Sequence, residues 1–202
     1  MEIQKYAEYL LKYYVNDDNN ITPMKLQKLL YYIKVWGLVD GEGFISESFV
    51  HHKYGPLNWD IYHEYNQYGN QKIEQPVHDV EVPENKHLVD FIIENYIDFD
   101  AITLSSMTHS EDPWKNTQIG EVITDEVIYE YYKEQPFAKN FPFDPNKTFY
   151  PIMSDGNHSF IFDMNAEDAK TSMKFSSYSE YLKLKNIAKE ELESAGLKNS
   201  CI

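Results

Sequence analysis

The chain has 202 residues, of which 42% are hydrophobic and 15% aromatic, enough apolar material for a packed core in one or two domains. Its 33 acidic residues against 18 lysines, with no arginine, give a formal net charge of −15. This balance argues against DNA binding, which depends on a surface of clustered positive charge. The single cysteine, Cys201, excludes an internal disulfide and a cysteine-based zinc site.

Apolar residues at helical spacing predict a mainly α fold. The predicted helices cover residues 3–15, 23–37, 57–68, 86–96, 101–108 and 124–133, with a short helical turn at 112–114. Three polar residues are expected to cap helix N-termini, namely Thr22, Asp100 and Thr124. Pro23 suits a first helical position, and Gly37 is expected to end the second helix.

The composition changes after residue 133. Prolines make residues 135–147 a connection, and residues about 148–164 hold two β-leaning segments around a turn, which predicts a hairpin. Ser177 and Glu180 form a capping-box pattern before a helix over about 178–195.

The expected architecture is a compact helical domain over residues 1–133 and a C-terminal extension over residues 134–202. Aromatic and β-branched residues at 44–54 add one or two short strands or a small β-hairpin to the first domain. The extension contributes the second hairpin and the last helix.

The location of the protein is also suggested by the sequence. No apolar stretch reaches the roughly 18 residues of a membrane span, and the N-terminus lacks the pattern of a secretory signal. We therefore expect a cytoplasmic protein with no membrane partner. The negative charge has two interpretations: it attracts a basic protein partner, or it only confers solubility. Direct nucleic-acid binding is not expected, because no helix-turn-helix carries a basic recognition helix.

A search for catalytic and metal-binding patterns gives few candidates. No phosphate-binding loop or nucleophile elbow is present, and the adjacent His51 and His52 would point to opposite faces of a strand. His109, Glu111 and Asp112 could supply acid–base chemistry, or His109 and Glu111 could simply hydrogen-bond helix ends. The second interpretation is favoured because no nucleophile or oxyanion site accompanies them. We expect no enzyme, cofactor or metal.

Three segments, in this order and spacing, resemble one family. The first is Ile21–Tyr32 with its Lys-Leu-Gln-Lys-Leu-Leu-Tyr-Tyr run. The second is Tyr54–Pro56 with Tyr62 and Tyr68-Gly69 downstream, and the third is Leu104-Ser105 leading to Thr108–Trp114 with its Thr-His-Ser-Glu-Asp-Pro-Trp run. The chain resembles the Panacea domain, also called the SocA-like antitoxin domain, over about residues 3–133.

The resemblance implies a mostly helical antitoxin of a toxin–antitoxin pair, of the kind carried by mobile elements and prophages. Such a protein would bind and neutralise a cognate toxin encoded by an adjacent gene, and we expect that toxin to be basic. The resemblance also leaves open an adaptor that delivers its partner to an ATP-dependent protease, or a regulator that binds a host protein. An enzyme using His109 and Glu111 is the last alternative.

The family-motif residues are expected to determine the fold or to face the partner. They are Lys25, Leu26, Gln27, Tyr31, Tyr54, Gly55, Pro56, His109, Glu111, Pro113 and Trp114. Lys25 and Gln27 are expected to face solvent, and Trp114 is expected to anchor the core. Residues 134–202 are interpreted either as a partner-specific extension or as a structural cap.

Overall fold

The computed structural model describes residues 2–16, 20–74, 79–152 and 174–194. The chain divides into an N-terminal unit, Met1–Lys133, and a C-terminal unit, Glu134–Ile202. Most of the described residues are helical, and the structure also contains a two-stranded antiparallel sheet. This confirms the predicted mainly α fold.

The N-terminal unit contains seven α-helices, one 3₁₀ turn and two short strands among its described residues. In chain order they are α1 Glu2–Tyr13, α2 Pro23–Asp40, β1 Phe49–Val50, α3 Trp59–Tyr65, the 3₁₀ turn Asn66–Tyr68, α4 Lys86–Glu94, α5 Ala101–Ser110, α6 Asp112–Lys115, β2 Val122–Ile123 and α7 Asp125–Tyr132.

Local polar residues set the helix N-termini as the sequence predicts. The side chains of Thr22, Asp100 and Thr124 each accept a main-chain N–H three residues on, which confirms the three N-caps. Pro23 occupies the first turn of α2, where its missing N–H removes no helical hydrogen bond.

The expected end of α2 at Gly37 is wrong, because the helix continues to Asp40. Gly41 terminates it with φ +88°, and its N–H donates to the carbonyl of Leu38 at 3.2 Å. Gly37 has a packing role instead. A Cβ atom there would lie 2.7 Å from Cδ2 of Phe44, so the glycine allows this ring to approach the helix.

Helix α2 is the centre of the N-terminal unit. It packs against α1, α3, α4, α5 and α7, and every residue from Lys25 to Gly37 is buried. A helix covered on all sides has no solvent stripe, so its polar residues must find partners inside the protein.

The two strands pair antiparallel, with Phe49 opposite Ile123 and Val50 opposite Val122. Val50 also bridges to Leu57, which turns the chain back toward α3. The strand prediction at 44–54 is thus confirmed by β1. The sequence gives no sign of β2, since two residues are too few to show an alternating pattern.

The C-terminal unit has a 3₁₀ turn, Pro136–Asn140, and the helix α8, Tyr178–Ser194, among its described residues. Phe149 pairs with Phe175 through both main-chain hydrogen bonds, each 2.9 Å. The predicted hairpin at about 148–164 lies mostly outside the described residues.

Helix α8 begins with a variant of the expected capping box. The Ser177 hydroxyl accepts the N–H of Glu180 at 3.2 Å. The carboxylate of Glu180 accepts the N–H of Ser176, at 2.7 Å, rather than that of Ser177. No helix within the described ranges has the length and apolar character needed to cross a bilayer.

Candidate functional site

Three lysines on α2 are buried, which is unusual for a side chain that carries charge. Lys25, Lys28 and Lys34 each donate from Nζ to a main-chain carbonyl, at 2.6, 2.9 and 2.9 Å. The acceptors are the carbonyls of Ile97, Pro56 and Ile45, in that order. The expectation that Lys25 faces solvent is therefore wrong, because its α2 position lies against the loop after α4.

Gln27 is also buried, contrary to the solvent-facing position expected for it. Its amide forms two hydrogen bonds with the main chain of Asn58: Nε2 donates to the carbonyl at 2.9 Å, and Oε1 accepts the N–H at 2.8 Å. Asn58 in turn caps α3 by accepting the N–H of Ile61 at 3.1 Å. Gln27 thereby fixes the start of α3 from the centre of the unit.

The turn Tyr54–Pro56 is fastened by side chains from two helices. Lys28 on α2 donates to the carbonyl of Pro56, and Ser105 on α5 donates to the carbonyl of Tyr54 at 3.0 Å. Gly55 lies between them with φ +94°, a conformation that favours glycine. Burial lowers the pKa of Lys28 to about 7, so this amine sits near the boundary between its charged and neutral forms.

Trp114 lies between two histidine rings rather than deep in the core. The ring centroids of His51 and His109 are each 4.1 Å from that of Trp114, and Trp114 Nε1 donates to the carbonyl of His52 at 3.0 Å. Trp114 is only half-buried, so the expected core anchor is a surface-proximal stack that holds the chain before the turn. Burial lowers the pKa of His109, and the charges of Lys28 and His51 lower it further.

Glu111 points its carboxyl group away from water toward two tyrosines. Tyr32 donates to Oε1 at 3.0 Å, and Tyr132 donates to Oε2. Desolvation raises the pKa of Glu111 to about 8, although the two tyrosine hydrogen bonds act in the opposite direction. The carboxyl group of Glu111 is thus mainly protonated at neutral pH. Through Tyr32 and Tyr132 it connects the α5–α6 junction to α2 and α7.

A group of exposed aromatic side chains lies around the turn Tyr54–Pro56. Tyr54, Trp59 and Tyr62 are 53%, 48% and 40% exposed. His52 and His63 connect them, because His52 lies within ring contact of Tyr54 and Trp59, and His63 of Trp59 and Tyr62. We call these five residues the aromatic patch. Exposed tyrosine and tryptophan clusters are typical of protein interfaces.

Comparison with known families gives a match over this region. The model of the antitoxin SocA-like, Panacea domain family matches residues 26–115, just under half of the chain. This segment is therefore similar to the Panacea domain. The match runs from α2 to the end of α6 and includes the fastened turn, the Trp114 stack and the aromatic patch. Searches of curated proteins and of solved structures each found no match.

The candidate catalytic residues His109, Glu111 and Asp112 do not form one constellation. The Glu111 carboxylate is engaged by two tyrosine hydroxyls, and His109 stacks on Trp114. Asp112 is exposed and pairs with Lys115 at 3.1 Å. Within the described part of the chain, no group of three His, Cys, Asp or Glu residues is placed to hold a metal ion.

The remaining motif residues occupy both core and surface. Leu26, Tyr31 and Pro113 are buried, and the Tyr31 ring packs edge-on against Phe49. Two of the residues that carry the family resemblance, Tyr54 and Tyr62, belong to the aromatic patch.

Sequence reasoning missed two contributors to this region. Lys28 lies inside the family-like run but looks like any helical lysine in the sequence. Trp59 was overlooked although Trp59, Tyr62 and His63 recur at positions i, i+3 and i+4. That spacing on a short helix indicates an aromatic ridge, and the polar neighbours of Trp59 place the ridge on the outside.

The double hydrogen bond of Gln27 leads to a stability prediction. Gln27→Leu should lower the free energy of unfolding by about 1 to 3 kcal/mol, because it leaves the buried N–H of Asn58 without a partner, whereas the Asn58 carbonyl still accepts the N–H of Tyr62 at 3.0 Å. Gln67→Leu, on the exposed 3₁₀ turn, is the control and should change it by less than about 0.5 kcal/mol. Urea unfolding followed by tryptophan fluorescence measures both. Equal stabilities of the two variants would refute the assigned role of Gln27.

Proposed function

We propose that this chain is an antitoxin that neutralises a cognate toxin by direct protein–protein binding. The observation that carries the proposal is the Panacea domain at residues 26–115, whose family is described as antitoxin SocA-like. The exposed aromatic patch supports it, since a protein that acts by binding needs a surface that can bury apolar area against its partner.

The charge distribution supports a basic toxin as the partner. The N-terminal unit contains 23 acidic residues and 10 lysines, a formal charge of −13, whereas the C-terminal unit has 10 acidic residues and 8 lysines. Three of the ten lysines, Lys25, Lys28 and Lys34, are buried, and Lys34 pairs with Asp125 at 2.8 Å. The surface of the N-terminal unit is therefore predominantly acidic. Such a field accelerates association with a basic protein.

The C-terminal unit lies outside the Panacea match and is proposed as a partner-specific extension. Segments outside a shared domain are where binding specificity can vary without loss of the core fold. Residues 134–202 would then add contacts that differ from one antitoxin to another.

Co-expression with the product of the neighbouring gene tests the proposal. The product alone should stop growth, and co-expression of this chain should restore growth and yield a complex that co-purifies. A toxic product that this chain neither binds nor relieves would contradict the proposal. A harmless product would also contradict it, and would favour an adaptor or a regulator that binds a host protein.

A further inference from the structure

Helix α3 carries its exposed residues in two adjacent rows. Ile61 and Tyr65 face the core, whereas Trp59 and His63, at positions i and i+4, lie at the middle of the outer face. Trp59 contacts the ring of Tyr62 at a centroid distance of 5.6 Å and that of His63 at 5.8 Å. This row of rings forms the α3 side of the aromatic patch.

The second row consists of two carboxylates beside the rings. Asp60 and Glu64 are exposed, lie four residues apart, and follow Trp59 and His63 by one position each. Helical geometry therefore places this acidic pair along one edge of the aromatic row. No hydrogen bond or ion pair is found for either carboxylate within the part of the chain that the structure describes.

Rings beside carboxylates are suited to a cationic side chain. A guanidinium or ammonium group lies favourably over the face of a tryptophan or tyrosine and can pair with a neighbouring carboxylate at the same time. Nucleic-acid bases also stack on such rings, but the −13 charge of the N-terminal unit repels phosphates. The basic groups at the Tyr54 end, His52 and Lys53, are too few to reverse this field.

The neighbouring structure holds these rows in place. The start of α3 is fixed by the two hydrogen bonds between Gln27 and Asn58, and Asn58 also donates to the carbonyl of Ser48 at 3.0 Å. A preformed surface loses little conformational entropy when a partner binds.

We propose that the aromatic patch together with Asp60 and Glu64 is the surface that docks a lysine- or arginine-bearing segment of the toxin. This inference rests on the proposed function and adds to it the place and the chemistry of the contact. A cationic side chain of the toxin lies against Trp59, and its charge pairs with Asp60 or Glu64.

Two matched sets of substitutions in the full chain test the surface. The patch variant combines Trp59→Ala, Asp60→Asn and Glu64→Gln. The control variant, on α7, combines Tyr129→Ala, Glu126→Gln and Glu130→Gln, which removes one exposed ring and two carboxylates four residues apart from the same unit. Both variants lose the same charge, so a general effect of net charge affects them equally.

The probes are octa-arginine peptide, measured by titration calorimetry, and the neighbouring gene product, measured by co-purification. The patch variant should bind octa-arginine at least about tenfold more weakly than the wild type, and the control variant less than about threefold more weakly. Circular dichroism and thermal unfolding should show both variants folded, since every substituted residue is exposed.

The outcomes separate this inference from the proposed function. Octa-arginine binding that falls equally in both variants, or in neither, overturns the docking surface even if the toxin is neutralised. Binding lost only in the patch variant supports the surface. If the neighbouring gene product then fails to bind the wild type, the antitoxin proposal falls and the assignment of a cation-binding surface remains.

Discussion

Gly55→Ala should lower the free energy of unfolding by about 2 to 4 kcal/mol, because two effects combine at this position. An alanine at φ +94° is strained by about 1 to 2 kcal/mol. Its Cβ would also lie 2.5 Å from Oγ1 of Thr108 and 2.7 Å from Cε of Lys28, both of them buried. Overpacking of this kind typically costs about 1 to 3 kcal/mol.

Gly41→Ala is the matched control for this substitution. Gly41 has nearly the same backbone conformation, φ +88°, but no atom lies within 4 Å of an added Cβ. It should therefore show only the backbone strain, about 1 to 2 kcal/mol. All three tryptophans lie in the N-terminal unit, so fluorescence during urea unfolding reports on this unit. A Gly55→Ala loss no larger than that of Gly41→Ala would contradict the packing described for the turn.

Glu111→Gln should remove a pH dependence of stability that the wild type shows between about pH 5 and 7. The pKa of Glu111 is raised from 4.5 to about 8 in the folded protein by desolvation. In this range the unfolded chain releases the proton and the folded protein keeps it, so the stabilisation falls as pH rises. The full slope is about 1.4 kcal/mol per pH unit, which gives a loss of up to about 3 kcal/mol by pH 7.

Lys28, another buried group with a large pKa shift, affects stability in the opposite direction and at higher pH. Burial lowers the pKa of Lys28 from 10.5 to about 7, so stability rises with pH as the folded protein stays neutral and the unfolded chain remains protonated. Below pH 7 Lys28 contributes little to the pH dependence of stability. Between pH 5 and 7 the effect of Glu111 can therefore be measured separately.

Urea unfolding of the wild type and Glu111→Gln at pH 5, 6 and 7 measures this effect. The difference between the two proteins cancels the histidines, which titrate in both. The stability of the wild type relative to the variant should decrease steadily with pH. A constant difference would mean that the Glu111 carboxyl is ionised in the folded protein and that the Tyr32 and Tyr132 hydroxyls stabilise a charge.

Local features of the fold could be predicted from the sequence. Thr22, Asp100 and Thr124 cap helices through hydrogen bonds to residues three positions away, so the signal lies within a few residues. The end of α2 was predicted wrongly because Gly37 serves a contact with Phe44, seven residues on, that no local pattern describes.

Burial of polar residues on α2 could not be predicted, because it depends on which helix lies at the centre. Lys25 and Gln27 have the composition of a solvent face, and they are buried because other segments present main-chain carbonyls to them. The same holds for the candidate site. The motif residues largely act inside the N-terminal unit, and Tyr54 and Tyr62 are the ones that reach the aromatic patch.

The central claim is neutralisation by stoichiometric binding, and an activity titration tests it most directly. Purified toxin, the product of the neighbouring gene, is mixed with increasing amounts of this chain and its residual activity is measured at two incubation times. The account predicts that activity falls linearly, ends at a fixed molar ratio of the two proteins, and is the same at both times. Time-dependent loss of activity at a small fraction of that ratio would show turnover and would contradict the account.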